Sequence, residues 1–344
     1  MTKKRVYAFS AFWLPFFALA LLAAPAAADK KIVKKAEKLM VKALEAIIQK
    51  QPDQAIDLLN QVLVLTPENA VVHHNLGVLY FEKGKDDEAI GKFEEALRLQ
   101  NDYQNALLAL RQALFEAAKK ANGNKDYEKA NAYLLKLVDL PRPEAENRSL
   151  LASAQYLLGF NYFNAKKYPQ ALEFFGKCQA NEGLEKENFE LYANAIYFMG
   201  MVTHVEGQFG VSKDHFQKYL SLYSADKDKP EFFAHAHYFI GANLFRLLEE
   251  KMTKGDVARI TEDAHAILPY LNTAIEMKIP SEDVYVMLGN CHVYLNDYDK
   301  AMAAYQQLCE LFPKSPQLKN YQAFMQELQK MQQQQQAAKA KKKR

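Results

Sequence analysis

The stretch HNLGVLYFEKGKDDEAIGKFEEALRL, residues 74–99, contains two short amphipathic helices joined by a turn. Gly84 is placed to end the first helix, because glycine readily adopts the left-handed conformation found at helix C-termini. Asp86 or Asp87 is placed to cap the second helix. Neither helix carries enough apolar surface to form a core alone, so neighbouring segments must complete it.

The same spacing of small and aromatic residues recurs along the chain. Its positions in the quoted stretch are Leu76, Gly77, Tyr80, Ala89, Phe93 and Ala96. Small residues let two helices cross closely, and the larger ones fill the seam between them. Residues 36–69, 152–183 and 282–315 repeat the pattern well, and weaker copies occupy the gaps. The spacing therefore predicts seven helical pairs between residues 36 and 315.

This set of positions resembles the tetratricopeptide repeat, which has a period of 34 residues. The resemblance implies an all-α protein, a right-handed α-solenoid of about seven hairpins over residues 29–315. Gly159, Gly200 and Gly241 are spaced by 41 residues, so we expect longer helices or loops there. A HEAT-like repeat with a period of about 40 is the rival interpretation, but the recurring glycines and alanines favour tetratricopeptide repeats.

The C-terminal region is predicted to close the stack. Residues 316–331 carry Leu318, Tyr321, Met325 and Leu328 at helical spacing, and a solenoid needs a capping element at its exposed end. We therefore expect a capping helix over residues 316–331. Residues 332–344 are rich in Gln and Lys and have little to bury, so we expect a disordered tail.

The N-terminal residues predict export. A basic start, MTKKR, precedes an apolar stretch at residues 6–25 and small residues at Ala26 and Ala28, which is the pattern of a secretory signal peptide. We expect cleavage after Ala28 and a periplasmic or otherwise exported protein of bacterial type. The alternative is an inner-membrane anchor formed by an uncleaved N-terminal helix.

The charge balance argues against one class of function, and the cysteine count argues against a disulfide-rich fold. The chain has 44 basic and 41 acidic residues, and removal of Lys3, Lys4 and Arg5 with the signal leaves 41 of each. This balance argues against general binding of nucleic acid, which depends on neutralising phosphates. The three cysteines, Cys178, Cys291 and Cys309, do not indicate a disulfide framework. Cys291 and Cys309 could approach in one hairpin, and the sequence leaves their pairing open.

The sequence contains no Gly-rich phosphate loop, nucleophile elbow, zinc-protease motif or Cys-x-x-Cys pair. The adjacent His73 and His74 would point about 100° apart on a helix and so could not both face one metal ion. We therefore expect neither an enzyme nor a cofactor or metal site. A hydrolase on the same scaffold would need a groove acid such as Glu82 or Glu116.

By resemblance to the family, the first helix of each repeat lines a concave groove, at its second, fifth, ninth, twelfth and thirteenth positions. An aromatic strip with a few polar groups suits a peptide, because Tyr and Phe give large contact areas. Packing between repeats is the alternative role for these aromatic residues. The predicted partner-binding residues are Tyr156, Phe160, Phe163, Asn164, Tyr197, Met201, His204, Tyr238, Phe245 and Arg246.

The favoured function is an exported scaffold or adaptor that binds an extended, partly apolar segment of another envelope protein and assists assembly of an envelope complex. The alternative is a structural spacer or self-association module that acts through the C-terminal helix and basic tail. That tail could also make a weak contact with a membrane surface. The sequence leaves the partner, pathway and oligomeric state open.

Overall fold

A computed structural model describes residues 30–141, 148–223, 229–230 and 232–342, and of residues 341 and 342 it describes the backbone alone. The predicted signal peptide, residues 1–28, lies outside these residues. The chain divides into two compact units, Met1–Glu144 and Ala145–Arg344.

The described part of the first unit consists of three helical hairpins. Each hairpin is a pair of consecutive helices that pack on each other, and successive hairpins also make contact. The helices are α1 Lys30–Ile48, α2 Pro52–Leu65, α3 Ala70–Glu82, α4 Asp86–Leu99, α5 Gln104–Gly123 and α6 Tyr127–Asp139.

The described part of the second unit contains four hairpins, a short extra helix and a long final helix. Its helices are α7 Arg148–Asn164, α8 Tyr168–Gln179, α9 Leu184–Glu187, α10 Phe189–Val205, α11 Phe209–Ser221, α12 Phe233–Thr253, α13 Ile260–Glu276, α14 Glu282–Tyr294, α15 Tyr298–Leu311 and α16 Leu318–Lys342. The prediction of an all-α fold built from seven repeat hairpins is confirmed, and the short α9 occupies part of one predicted insertion.

The turns between paired helices share one backbone feature. Gly84 has φ of +71°, as its predicted role at the end of a helix requires. Lysines take the same left-handed conformation at Lys50, Lys125 and Lys166. The predicted capping of α4 is wrong, since its N-cap is Lys85, without a side-chain hydrogen bond to the cap. Asp86, one residue later, lies inside the first turn of α4. There its negative charge stabilises the helix by interacting with the helix dipole.

The final helix is longer than the sequence predicted. Helix α16 continues to Lys342, so the predicted disordered tail over residues 332–344 is wrong for most of its length. Gln, Ala and Lys are good helix formers, so a helix already started by packing can extend through them. The capping prediction agrees with the packing, because Leu328 is fully buried beside Ala301 and Tyr305 of α15.

Candidate partner-binding face of the second unit

The first helices of the fourth and fifth hairpins, α7 and α10, share an aromatic cluster. Its hub is Phe198, whose ring centroid lies 5.5 Å from Phe160, 5.9 Å from Phe163 and 6.0 Å from Tyr156. Phe198 is buried, whereas the three side chains of α7 are only half-buried. The three rings therefore have a packed side toward Phe198 and an accessible side.

We call the accessible surface over this hub the aromatic face. It consists of Tyr156, Phe160, Phe163, Asn164 and Met201. Asn164 is exposed, and Met201 is half-buried on α10. Burial raises the pKa of Tyr156 to about 12, and the nearby Cys178 and Glu190 add smaller effects. The tyrosine is therefore neutral at physiological pH, and the aromatic face presents apolar and uncharged groups to solvent.

Two predicted partner-binding residues lie inside the core instead. Tyr197 is 4% exposed and stacks on Phe232, with ring centroids 4.6 Å apart. Phe245 is also 4% exposed and stacks on Tyr294 at 6.3 Å. Both side chains pack against the following hairpin or the segment that leads to it, so neither can contact a partner without unfolding locally.

Tyr238 and Arg246 remain accessible on α12. Tyr238 is half-buried, and burial is the main cause of its raised pKa, to which Asp283 adds. Arg246 is exposed, and its Nη1 donates to Glu249 Oε2 at 2.9 Å. The arginine charge is thus partly compensated on its own helix.

His204 takes part in a hydrogen-bonded chain between neighbouring hairpins. Its Nδ1 lies 2.6 Å from Asn243 Oδ1. Asn243 Nδ2 donates to Ser212 Oγ at 2.8 Å, and Ser212 Oγ donates to the Gly200 carbonyl at 2.8 Å. Asn243 and Ser212 are fully buried, so these bonds satisfy polar groups that water cannot reach. His204 is half-buried, so the position predicted to line the groove also packs against the neighbouring hairpin.

Sequence reasoning missed Phe198 and Asn243. Each lies within two residues of a helix-crossing glycine, Gly200 or Gly241, but neither occupies a position that the family pattern assigns to the groove. The polar Asn243 in an apolar helical stretch was a usable signal, because a buried amide needs hydrogen-bond partners.

The described residues show no group of three or more His, Cys, Asp or Glu side chains that could hold a metal ion. Among the helices in the described ranges, none is both long and apolar enough to cross a bilayer.

Comparisons with known proteins identify three of the repeats. Sequence models of the tetratricopeptide repeat family match residues 70–103 and 282–315, and a second such model matches residues 153–182. These segments correspond to the hairpins α3/α4, α14/α15 and α7/α8. No curated protein sequence matches the chain.

Among solved structures, the chain is similar to Pseudomonas aeruginosa PilF, with 16% identity over 74% of this chain and 96% of that chain, at a TM-score of 0.40. It is also similar to the C-terminal part of a tetratricopeptide-repeat protein from Cytophaga hutchinsonii, with 15% identity over 81% and 98% of the two chains and a TM-score of 0.45. A third similar structure is YrrB, described as a tetratricopeptide-repeat protein with an unusual peptide-binding site, at 14% identity, 64% and 92% coverage and a TM-score of 0.37.

Proposed function

We propose that this tetratricopeptide-repeat protein is an exported adaptor that binds a segment of an envelope protein. Its fold suggests a non-enzymatic scaffold for protein–protein interaction. The single observation that supports this proposal is the aromatic face. Phe160 and Phe163 pack against the hub with one side and leave the other accessible.

The chemistry of this face favours a particular kind of segment. Rings already held by Phe198 lose little side-chain entropy when a partner binds, which is a property of binding hot spots. The exposed Asn164 amide has donors and an acceptor that can pair with a peptide backbone. An extended segment with apolar side chains is therefore the expected ligand. By binding such a segment, the adaptor would assist assembly of an envelope complex.

Photocrosslinking in the producing cell tests the binding face. We would place a benzophenone amino acid at Phe163 on the aromatic face and, as a matched control, at Val211 on α11, which is 48% exposed. We expect a specific adduct from position 163 and none from position 211. Equal adducts from both positions would rule out the aromatic face as the binding site.

A pair of substitutions then measures how much the two rings contribute to the free energy of binding. Phe160→Ala with Phe163→Ala removes the accessible rings but keeps the buried Tyr197 and Phe245, so helicity by circular dichroism should be kept. Loss of two aromatic anchors of about 2 kcal/mol each would weaken binding by about 30-fold if one anchor dominates and by about 1000-fold if the two effects add. Binding that is unchanged in the folded variant would contradict the proposal.

Export is a separate part of the proposal. It rests on the N-terminal sequence, and N-terminal sequencing of the protein recovered from the envelope fraction tests it. A chain that begins at Asp29 would support signal removal, whereas a chain that begins at Met1 in the inner membrane would support the uncleaved anchor.

The spacer alternative predicts that the C-terminal helix makes the contacts. Deleting residues 316–344 is a poor test, because Tyr321, Phe324 and Leu328 of α16 pack on α15. Deleting residues 333–344 removes only the end of the helix. If association is lost with an untouched aromatic face, the spacer function is correct and the adaptor function is wrong.

A further inference from the structure

The outer face of α1, the first described helix, is strongly basic. The side of this helix that faces the core is formed by Ala36, Met40, Ala43 and Ala46. The exposed charged residues on the rest of the helix are Lys30, Lys31, Lys34, Lys35, Lys38, Lys42 and Glu45. Six of these seven side chains are thus cationic, and at 100° per residue they lie on one broad face.

This charge is local to α1. The helix has six lysines and two glutamates, a formal net charge of +4, whereas residues 49–141 have 11 basic and 14 acidic residues, a net charge of −3. A terminal repeat needs a polar outer face for solubility, but solubility does not need that face to be of one sign. The clustering of lysines on one face of α1 therefore needs a further explanation.

Three lysines of α1 also differ in their partners from several other lysines of the first unit. Elsewhere in the described part of the unit, four lysines pair with carboxylates of another helix, as Lys83 does with Asp53 at 2.5 Å and Lys136 with Glu94 at 2.8 Å. Over the described ranges, Lys30, Lys34 and Lys38 have no carboxylate within 4.0 Å. Their charge is consequently available to an external anion.

Exposed apolar side chains accompany these lysines. Val41 is 47% exposed and Ile48 is 70% exposed, and helical rotation places both on the same side as Lys30 and Lys34. A helix with cationic groups around exposed apolar ones suits the headgroup region of a bilayer, where charge and apolar contact both contribute.

We propose that the outer face of α1 binds the surface of a membrane rich in anionic phospholipid. Clusters of four to eight lysines bind such surfaces through charge. The apolar stretch at residues 6–25 ends five residues before α1, and the export that we propose above would bring this helix to a membrane; this step rests on the proposed function. Nucleic acid is the less favoured anion, because the face has no arginine and the remainder of the unit is acidic.

Vesicle co-sedimentation tests the proposal. The chain from Asp29, which retains all sixteen described helices, is mixed with vesicles of phosphatidylcholine with and without phosphatidylglycerol. The test variant is Lys30→Gln, Lys34→Gln, Lys38→Gln. The matched control is Lys314→Gln, Lys319→Gln, Lys330→Gln, which removes three exposed lysines near the C-terminus. We expect binding only with phosphatidylglycerol, weakened by salt, and an affinity loss of about 100-fold in the test variant alone.

Three outcomes would overturn the proposal. Binding that is independent of phosphatidylglycerol would show that charge is not recognised. An equal loss in the control variant would assign lipid contact to the C-terminal end. Tighter binding to a short DNA duplex than to the anionic vesicles, lost in the test variant, would make nucleic acid the ligand of this face.

Discussion

Phe175 occupies the space that a side chain on Gly159 would need, since an ideal Cβ at position 159 would lie 2.8 Å from Cδ1 and Cε1 of the ring. The same close approach recurs in four other hairpins. The pairs are Gly77 with Phe93, Gly200 with Phe216, Gly241 with Leu271 and Gly289 with Tyr305. One small residue on the first helix therefore sets the distance at which the two helices of a hairpin cross.

We expect Gly159→Ala to destabilise the second unit by about 1 to 3 kcal/mol, because the added methyl group forces the ring of Phe175 to move in a close-packed core. Gly176→Ala is the matched control in the same hairpin. A Cβ at Gly176 meets nothing within 4 Å, so this change should stabilise α8 by up to about 1 kcal/mol. Urea unfolding followed by circular dichroism measures both. Equal effects of the two substitutions would contradict the crossing argument.

The hydrogen bond between Asn243 and Ser212 should couple the fifth and sixth hairpins. Asn243→Ala leaves a cavity and removes a donor from a buried hydroxyl, so we expect a loss of about 1 to 3 kcal/mol. A double-mutant cycle with Ser212→Ala should give a coupling energy of about 0.5 kcal/mol or more. Ser221→Ala, on the exposed part of α11, is the control and should change stability by less than about 0.5 kcal/mol. Additive effects of Asn243→Ala and Ser212→Ala would show that the bond is not formed in solution.

His74 should make the first unit sensitive to acid. It is 2% exposed, and burial lowers its pKa from 6.5 to about 4, although the Asn75 side chain opposes this shift. Between these two pH values the unfolded chain binds a proton that the folded chain does not, so stability falls as the pH drops below about 6.5. At pH near 4.5 the loss is about 2 to 3 kcal/mol.

The comparison variant is His74→Gln, which cannot take up the proton. The difference in the free energy of unfolding between pH 7 and pH 4.5 should be smaller in this variant by about 2 to 3 kcal/mol. Some dependence of the unfolding free energy on pH will remain, because the pKa of His73 is also lowered, mainly by burial. An identical pH dependence in the two proteins would rule out His74 as its source.

The three free cysteines should differ in reactivity. Burial raises the pKa of Cys178 and of Cys291 to about 12. Burial also raises the pKa of Cys309, but this side chain is only half-buried and so can be reached by a reagent. Since the thiolate is the reactive form, a thiol reagent should label one cysteine rapidly in the native chain and three in denaturant. Cys309→Ser should abolish the rapid reaction. Rapid labelling that persists in this variant would mean that a buried thiol is reached by local opening.

Local patterns made much of the fold predictable. The spacing of Gly77, Ala89 and Phe93 follows from a contact between two helices that are adjacent in sequence, so a short window contains both partners. The end of the C-terminal helix was less predictable. Gln and Lys are equally suited to a solvated tail and to an extended helix, and the packing of Leu328 beside Tyr305 starts a helix that good helix formers then continue.

The aromatic face could be predicted only in part. Tyr156 and Tyr197 each precede a helix-crossing glycine by three residues, so the repeat pattern assigns them the same position. Tyr156 remains half-buried, whereas Tyr197 is covered by Phe232 at 4.6 Å between ring centroids. Phe232 lies in the segment before α12, in the part of the chain where the repeats depart from their usual period.

The sequence by itself determined the helical hairpins and their number, because the contacts that define a hairpin lie within one repeat. Only the tertiary structure decided which of the predicted groove positions stay accessible. Accessibility depends on side chains from the following hairpin and from irregular segments, as Phe232 over Tyr197 and Tyr294 beside Phe245 show. Such contacts join residues 35 to 49 positions apart, beyond the range of any pattern within one repeat.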